Sequence, residues 1–219
     1  MIADVKVTEL FPTPIWSVAL KADAAADLNG RLMAEIRRLT EPRPPIPSGV
    51  SWQTDPVVHR LPAFAPLVSL ITRAATGAMT FLGLRQRAAS ITGMWVNINP
   101  PGARNSGHTH PNNFLSGVYY VDIPPGEGRI DFADPRVQAE VMMPPIAEGN
   151  RFNGNTITMN VEPGRIIMFP AWLRHSVPIN RSSGDRVSIA FNLMIDNYVD
   201  EASPPLWTGT VPIDPKELA

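Results

Sequence analysis

The stretch GRIIMFPAWLRHSVPINRSSGDRVSIAFNLMI, residues 164–195, holds three short apolar runs separated by turns rich in Pro, Gly, Asn and Ser. The Pro163–Gly164 pair launches GRIIMF, His175 opens HSVPIN, and RVSIAFNLMI closes the series. Runs of this length bounded by turn residues read as β-strands. In the last run, the two-residue period of a strand puts Arg186, Ser188, Ala190 and Asn192 on one face and Val187, Ile189 and Phe191 on the other. Upstream lie SITGMWVNIN (90–99), FLSGVYYVDI (114–123), GRIDFAD (128–134), AEVMMP (139–144) and NTITMNV (155–161). Eight such runs, spaced at roughly ten residues, predict a sandwich or barrel.

The first 90 residues differ in texture. LFPTPIWSVAL reads as an opening strand. Leu28, Leu32, Ile36 and Leu39 then recur at helical spacing behind a candidate Asp23 cap, and the EPRPPIP cluster from Pro42 ends that helix. SWQTDPVVHR reads as irregular. A second helix is expected from Pro66, turning Leu67, Leu70, Ile71, Ala74, Ala78 and Phe81 inward. Helices first and strands later define a mainly β, α+β chain rather than a doubly wound parallel sheet. A single domain, 1–219, is expected, with a strand and helical elaboration (1–89), a β-core (90–196) and a Pro-rich C-terminal tail (197–219) that packs on the core or mediates a homodimer.

Composition narrows the function. With 219 residues, 44% hydrophobic and 18% charged, the chain can build a sizeable core. A net charge of −1 without basic clusters gives no footprint for nucleic acid or an anionic membrane. No cationic leader or 18-residue apolar run is present, so a cytoplasmic location is the default expectation. The absence of cysteine excludes thiolate metal sites and cysteine nucleophiles, leaving His, Asp and Glu as metal ligands.

His108 and His110 flank one threonine in SGHTHP, so in an extended segment their side chains point the same way. His175 opens a distant strand. Three neutral imidazoles suit iron, zinc, copper or nickel and leave coordination positions open. Spacing alone leaves this undecided, because HxH pairs are common. His59 reads as an ordinary partly exposed histidine. Arg186, inward on a core strand, needs an anion, either one of the chain's own acids or a bound carboxylate. Asn97 and Asn99, alternating with Met94, Val96 and Ile98, are candidate pocket donors. Trp95 and Trp172 read as core. The polar loop PPIAEGNRFNGNT (144–156) is a solvated turn or a lid.

The order HTHP, SGVYYV, DPR, FPAWLRHSV and then RVS, eleven residues after His175, resembles the Fe(II)- and 2-oxoglutarate-dependent dioxygenases. More narrowly it is similar to a group of bacterial and phage oxygenases with the pattern HxHP, SGVYY, DPR and FPxWLxHxV. The specific motifs cover residues 90 to 195; LFPTPIW and SWQT extend the likeness loosely. The resemblance implies a double-stranded β-helix (jelly-roll, cupin-like) core. It implies Fe(II) bound by His108 and His175, with His110 where most relatives carry a carboxylate; Asp134 is the alternative third ligand, and otherwise it and Arg136 are candidates for the substrate rim. It further implies 2-oxoglutarate held by Arg186 and Ser188 with Tyr120, Asn97 nearby, and use of dioxygen on a small-molecule or peptide substrate to release succinate and carbon dioxide. Two other readings stay open: a cupin-like three-histidine enzyme not using 2-oxoglutarate, against which Leu115 and Ser116 stand where cupins carry glutamate, and a non-catalytic carboxylate-binding module.

Overall fold

The computed structural model describes residues 1–136, 138, 141, 144–198 and 216. Ten strands and two α-helices are assigned among them: β1 (Trp16–Ala19), α1 (Ala22–Thr40), β2 (Trp52–Gln53), α2 (Ala65–Phe81), β3 (Ala89–Asn99), β4 (Asn105–His108), β5 (Leu115–Asp122), β6 (Arg129–Ala133), β7 (Thr156–Asn160), β8 (Arg165–Pro170), β9 (His175–Val177) and β10 (Arg186–Ile195). The strands form a six-stranded sheet in the order β1-β8-β5-β10-β3-β2 and a four-stranded sheet in the order β4-β9-β6-β7, every ladder antiparallel. Two facing antiparallel sheets with helices on one side are the double-stranded β-helix with N-terminal helices. Most of AEVMMP and most of the C-terminal tail lie outside the described residues.

The central strands β5, β8 and β10 of the large sheet are buried on both faces, which explains why they read as nearly unbroken apolar runs. One face, including Tyr119, Ile166, Met168, Val187, Ile189 and Phe191, joins a core with Leu32, Ile36, Leu67 and Ile71 of the two helices. The other face, with Tyr120, Ile167 and Phe169, meets Ile130 and Phe132 of the small sheet. Each such side chain contributes about 1.5–3 kcal/mol by leaving water. Helix α1 is seated by Gly164, whose φ of +83° makes the turn into β8; a Cβ there would lie 2.5 Å from that of Ala25. Gly117 on β5 admits the ring of Phe191, since its added Cβ would meet that ring at 2.3 Å and the Ile167 carbonyl at 2.7 Å.

Several local expectations are corrected. Lys21 rather than Asp23 is the N-cap of α1; Asp23 sits in the first turn, where its charge complements the helix dipole. Phe81 is 72% exposed rather than inward, because it ends α2 and meets only the edge of Trp16. The irregular SWQT segment supplies β2, which pairs Trp52 with Ile98 and Gln53 with Asn97. Among the described residues one stretch, Pro62–Phe81, is long and apolar enough to cross a bilayer by composition, and its buried Leu67, Ile71, Ala75 and Met79 pack one face of it into the core.

Candidate active site

The antiparallel register of β4 and β9 sets His108 directly opposite His175. His110 lies two residues past the end of β4, held by its backbone N–H donating to the Ala171 carbonyl at 2.9 Å. The three rings converge with centroids 4.9, 4.4 and 5.2 Å apart, and one ligand nitrogen from each lies within 4.8 Å of the others. Among the described residues this is the sole His, Cys, Asp and Glu group so placed.

Two rings have their tautomer set by backbone. His108 Nδ1 lies 2.7 Å from the Ser106 carbonyl and His175 Nδ1 lies 3.0 Å from that of Leu173. A carbonyl only accepts, so each Nδ1 carries the proton and each Nε2 keeps a free lone pair. Burial, reinforced by neighbouring His108, lowers the pKa of His110 to about 4. Burial likewise lowers His175 to about 4, against the opposing effect of its bond to Leu173. Both rings are neutral at physiological pH, the form a metal requires.

Asp134 stands apart from this group. Arg136 clasps its carboxylate through Nε at 3.0 Å and Nη2 at 2.6 Å, and this hydrogen bonding, opposed by slight burial, holds its pKa low. The Asp134 N–H donates to Asn155, tying the turn after β6 to the exposed loop 144–155.

The histidines line a narrow cleft whose walls also include Asn97, Tyr120, Arg186 and Ser188. The inward faces of β3, β5 and β10 thus meet as alternation required. Arg186 is 2% exposed. Its Nη2 donates to the Arg129 carbonyl at 2.9 Å, its Nε has no acceptor, and no carboxylate among the described residues forms an ion pair with it. Burial lowers its pKa, but a guanidinium remains charged. Its carbon lies 5.8 Å from the ring centre of Tyr120, whose buried hydroxyl makes no hydrogen bond of good geometry and has the Arg186 guanidinium as its polar neighbour. Burial raises that phenol to about 12, against the Arg186 charge, so the hydroxyl is a donor. A buried cation with an unsatisfied Nε, beside a buried phenol hydroxyl, fits a carboxylate.

Tyr119 faces the other way and donates to Asn29 at 2.6 Å. Asn97 accepts from Gln53 at 2.8 Å, while Asn99 donates to Ser51 at 2.6 Å and Asn105 at 2.8 Å. The cleft wall therefore includes amides from β2 and β4 that sequence periodicity does not single out; two-residue and four-residue polar strands carry too little alternation to detect. Trp95 lines the cleft beside His110, with ring centres 5.9 Å apart, and Trp172 is 56% exposed; neither is simple core. His59 lies in a short 3-10 turn outside the cleft.

The double-stranded β-helix thus brings a three-histidine cluster able to hold a metal ion and a buried arginine without an ion-paired carboxylate among the described residues to one cleft. Residues 93–192 match the family described as "Putative 2OG-Fe(II) oxygenase". Curated proteins give no sequence match. Among solved structures, the epimerase SnoN in complex with Fe3+, alpha ketoglutarate and nogalamycin RO is 15% identical, covers 92% of this chain and 89% of that one, and superposes with a TM-score of 0.60. A Pseudomonas putida prolyl-4-hydroxylase is 18% identical over 83% of this chain and 93% of that one, TM-score 0.53. HygX from Streptomyces hygroscopicus, with nickel and 2-oxoglutarate bound, is 12% identical over 84% and 83%, TM-score 0.53. At these identities the likeness is one of fold.

Proposed function

We propose that the chain hydroxylates its substrate with His108, His110 and His175 as the iron ligands and Arg186, Ser188 and Tyr120 as the anchor of the distal carboxylate of 2-oxoglutarate. The observation that carries this reading is Arg186, buried and without an ion-paired carboxylate among the described residues, in the cleft that the histidines line. When bound, Fe(II) and 2-oxoglutarate supply the oxidising chemistry: dioxygen and 2-oxoglutarate are consumed, succinate and carbon dioxide leave, and one oxygen atom enters a substrate C–H bond.

The chain's own residues do the positioning. His108 and His175 present Nε2 because backbone carbonyls hold their Nδ1 protons. Arg186 offers two edges of its fork to a carboxylate, and Tyr120 adds a hydroxyl from the paired strand, opposite Ser188 in the β5–β10 register. Ile130 and Phe169 give the cleft wall apolar surface, the Phe169 ring centre lying 4.5 Å from that of His175. Asn97 is already engaged by Gln53, so it shapes the pocket and orders the wall. At the mouth, the Asp134–Arg136 turn follows Phe132, the partner of His175 in the ladder, and forms a substrate rim together with the loop it is tied to.

The test is anaerobic addition of Fe(II) and then 2-oxoglutarate to metal-free protein. A weak visible charge-transfer band, diminished in Arg186→Met, is the expected result. Iron binding without a band favours a three-histidine enzyme that does not use 2-oxoglutarate, and absence of iron binding removes the enzyme reading.

A further inference from the structure

The third histidine is held differently from the other two. His108 and His175 each lean on a carbonyl two residues back in their own chain, whereas the polar neighbour of His110 Nδ1 is the side-chain amide of Asn192 on β10, Nδ2 to Nδ1, 3.5 Å away. Asn192 is placed for this by the sheet. It follows Arg186, Ser188 and Ala190 on the cleft-facing side of β10, and the β10–β3 register shifts just after it, between Asn192 and Leu193. Such an irregularity re-aims a side chain. Opposite it on β3 is Gly93, which offers no side chain in the way, and on β5 it faces Ser116. The buried Ser116 hydroxyl donates to Asn192 Oδ1 at 2.7 Å.

A histidine that ligates through Nε2 carries its remaining proton on Nδ1. That proton needs an acceptor, and an amide Nδ2 is a donor. A half-turn of the Asn192 amide exchanges its nitrogen and oxygen without moving any other atom. Oδ1 then accepts from His110 Nδ1, and Nδ2 donates to the Ser116 hydroxyl, which accepts as readily as it donates. Every group in the chain Ser116–Asn192–His110 is satisfied in that arrangement. The same three groups cannot satisfy an Nδ1–H with the amide the other way round.

We infer that Asn192, braced by Ser116, is a positioning residue that fixes the tautomer and ring orientation of His110 for metal binding. This rests on His110 being a ligand, as proposed above. A partner in this position acts through the histidine and touches neither iron nor substrate, and its loss typically lowers metal affinity about 10- to 100-fold.

The test uses the full chain loaded with Co(II), read by chelator competition and by proton NMR of the exchangeable, paramagnetically shifted imidazole N–H signals. Wild type should show three such signals, one of them missing in His110→Ala. Fewer signals, with none lost in His110→Ala, would overturn the ligand set and this inference with it. Given three signals, Asn192→Ala should bind Co(II) about 10- to 100-fold more weakly and lose the His110 signal to rapid exchange. Asn192→Asp, which keeps an acceptor for Nδ1–H and accepts from Ser116, should retain both the signal and most of the affinity. Ser116→Ala, leaving Asn192 itself intact, should speed exchange of the same signal alone. Unchanged affinity and exchange in Asn192→Ala would overturn the positioning role while leaving His110 a ligand. Equal losses in the Ala and Asp variants would overturn it too, because a packing role does not distinguish an acceptor from none.

Discussion

Replacing Arg186 with methionine separates two opposite energetic effects. In the free protein Arg186 is a desolvated charge with one hydrogen bond, to Arg129, and an unsatisfied Nε. Exchanging a poorly compensated buried charge for an apolar side chain of similar length is neutral or stabilising, by up to about 4 kcal/mol. Loss of the bond to Arg129 offsets about 1.5–3 kcal/mol of that. Stability of Arg186→Met should therefore stay level or rise slightly, seen as an unchanged or higher urea midpoint. Binding of 2-oxoglutarate should move the other way. Its distal carboxylate would be buried beside Tyr120 without its cation, which costs about 3–5 kcal/mol, or about 100- to several-thousand-fold in Kd. Anaerobic titration of the Fe(II) protein with 2-oxoglutarate, read by its charge-transfer band, measures that change. A lower urea midpoint with unaltered 2-oxoglutarate affinity would refute the reasoning and make Arg186 a structural residue.

Other expectations follow from the same geometry. Tyr120→Phe should weaken 2-oxoglutarate by about tenfold, one charge-assisted hydrogen bond, with little change in apo stability, whereas Tyr119→Phe should cost about 1 kcal/mol of stability and leave 2-oxoglutarate binding alone; denaturant curves and the titration above check both. His110→Ala should abolish tight Fe(II) binding while Asp134→Ala should preserve it, as measured by competition with a chromogenic chelator. Because folded His110 and His175 sit near 4, below the 6.5 reference value, the unfolded chain binds more protons between those values. Apo stability from these rings should be intact above about pH 6.5 and fall toward pH 4, by at most about 1.4 kcal/mol per pH unit for each ring, and urea midpoints across that range test the sign. Gly117→Ala should destabilise by about 1–3 kcal/mol or more, since its methyl would meet both the Phe191 ring and the Ile167 carbonyl; a variant as stable as wild type in urea would contradict the packing.

The long strands are legible in the sequence because burial on two faces and strict alternation leave a strong pattern. RVSIAFNLMI shows it best: alternation alone assigns Arg186, Ser188, Ala190 and Asn192 to one side, and three of them line the cleft. The short elements are not legible. NSGH of β4 and WQ of β2 owe their strand geometry to tertiary pairing, with β9 and β3, rather than to local preference. The same limit hides part of the site. Gln53 and Asn105 gain meaning through partners 44 and 6 residues away in sequence, Asn97 and Asn99. Asn192 stands on the correct face, but its approach to His110 depends on a register shift that periodicity does not reveal. Trp172 departs from the core expected of a large aromatic because it sits in a turn rather than on a strand.

The two-faced burial of β5 and β10 also bears on how this protein can change. Position parity along these strands divides the chain's tasks: Val118, Tyr120, Arg186, Ser188 and Ala190 belong to the cleft, while Tyr119, Val187, Ile189 and Phe191 belong to the helical core. A substitution at one parity leaves its neighbours' packing largely untouched, so pocket shape can drift while the scaffold holds. An insertion or deletion of a single residue has no such freedom, because it would exchange the two sets at a stroke. Variation in specificity on this scaffold is thereby channelled into point changes at alternate positions and into the loops at the mouth.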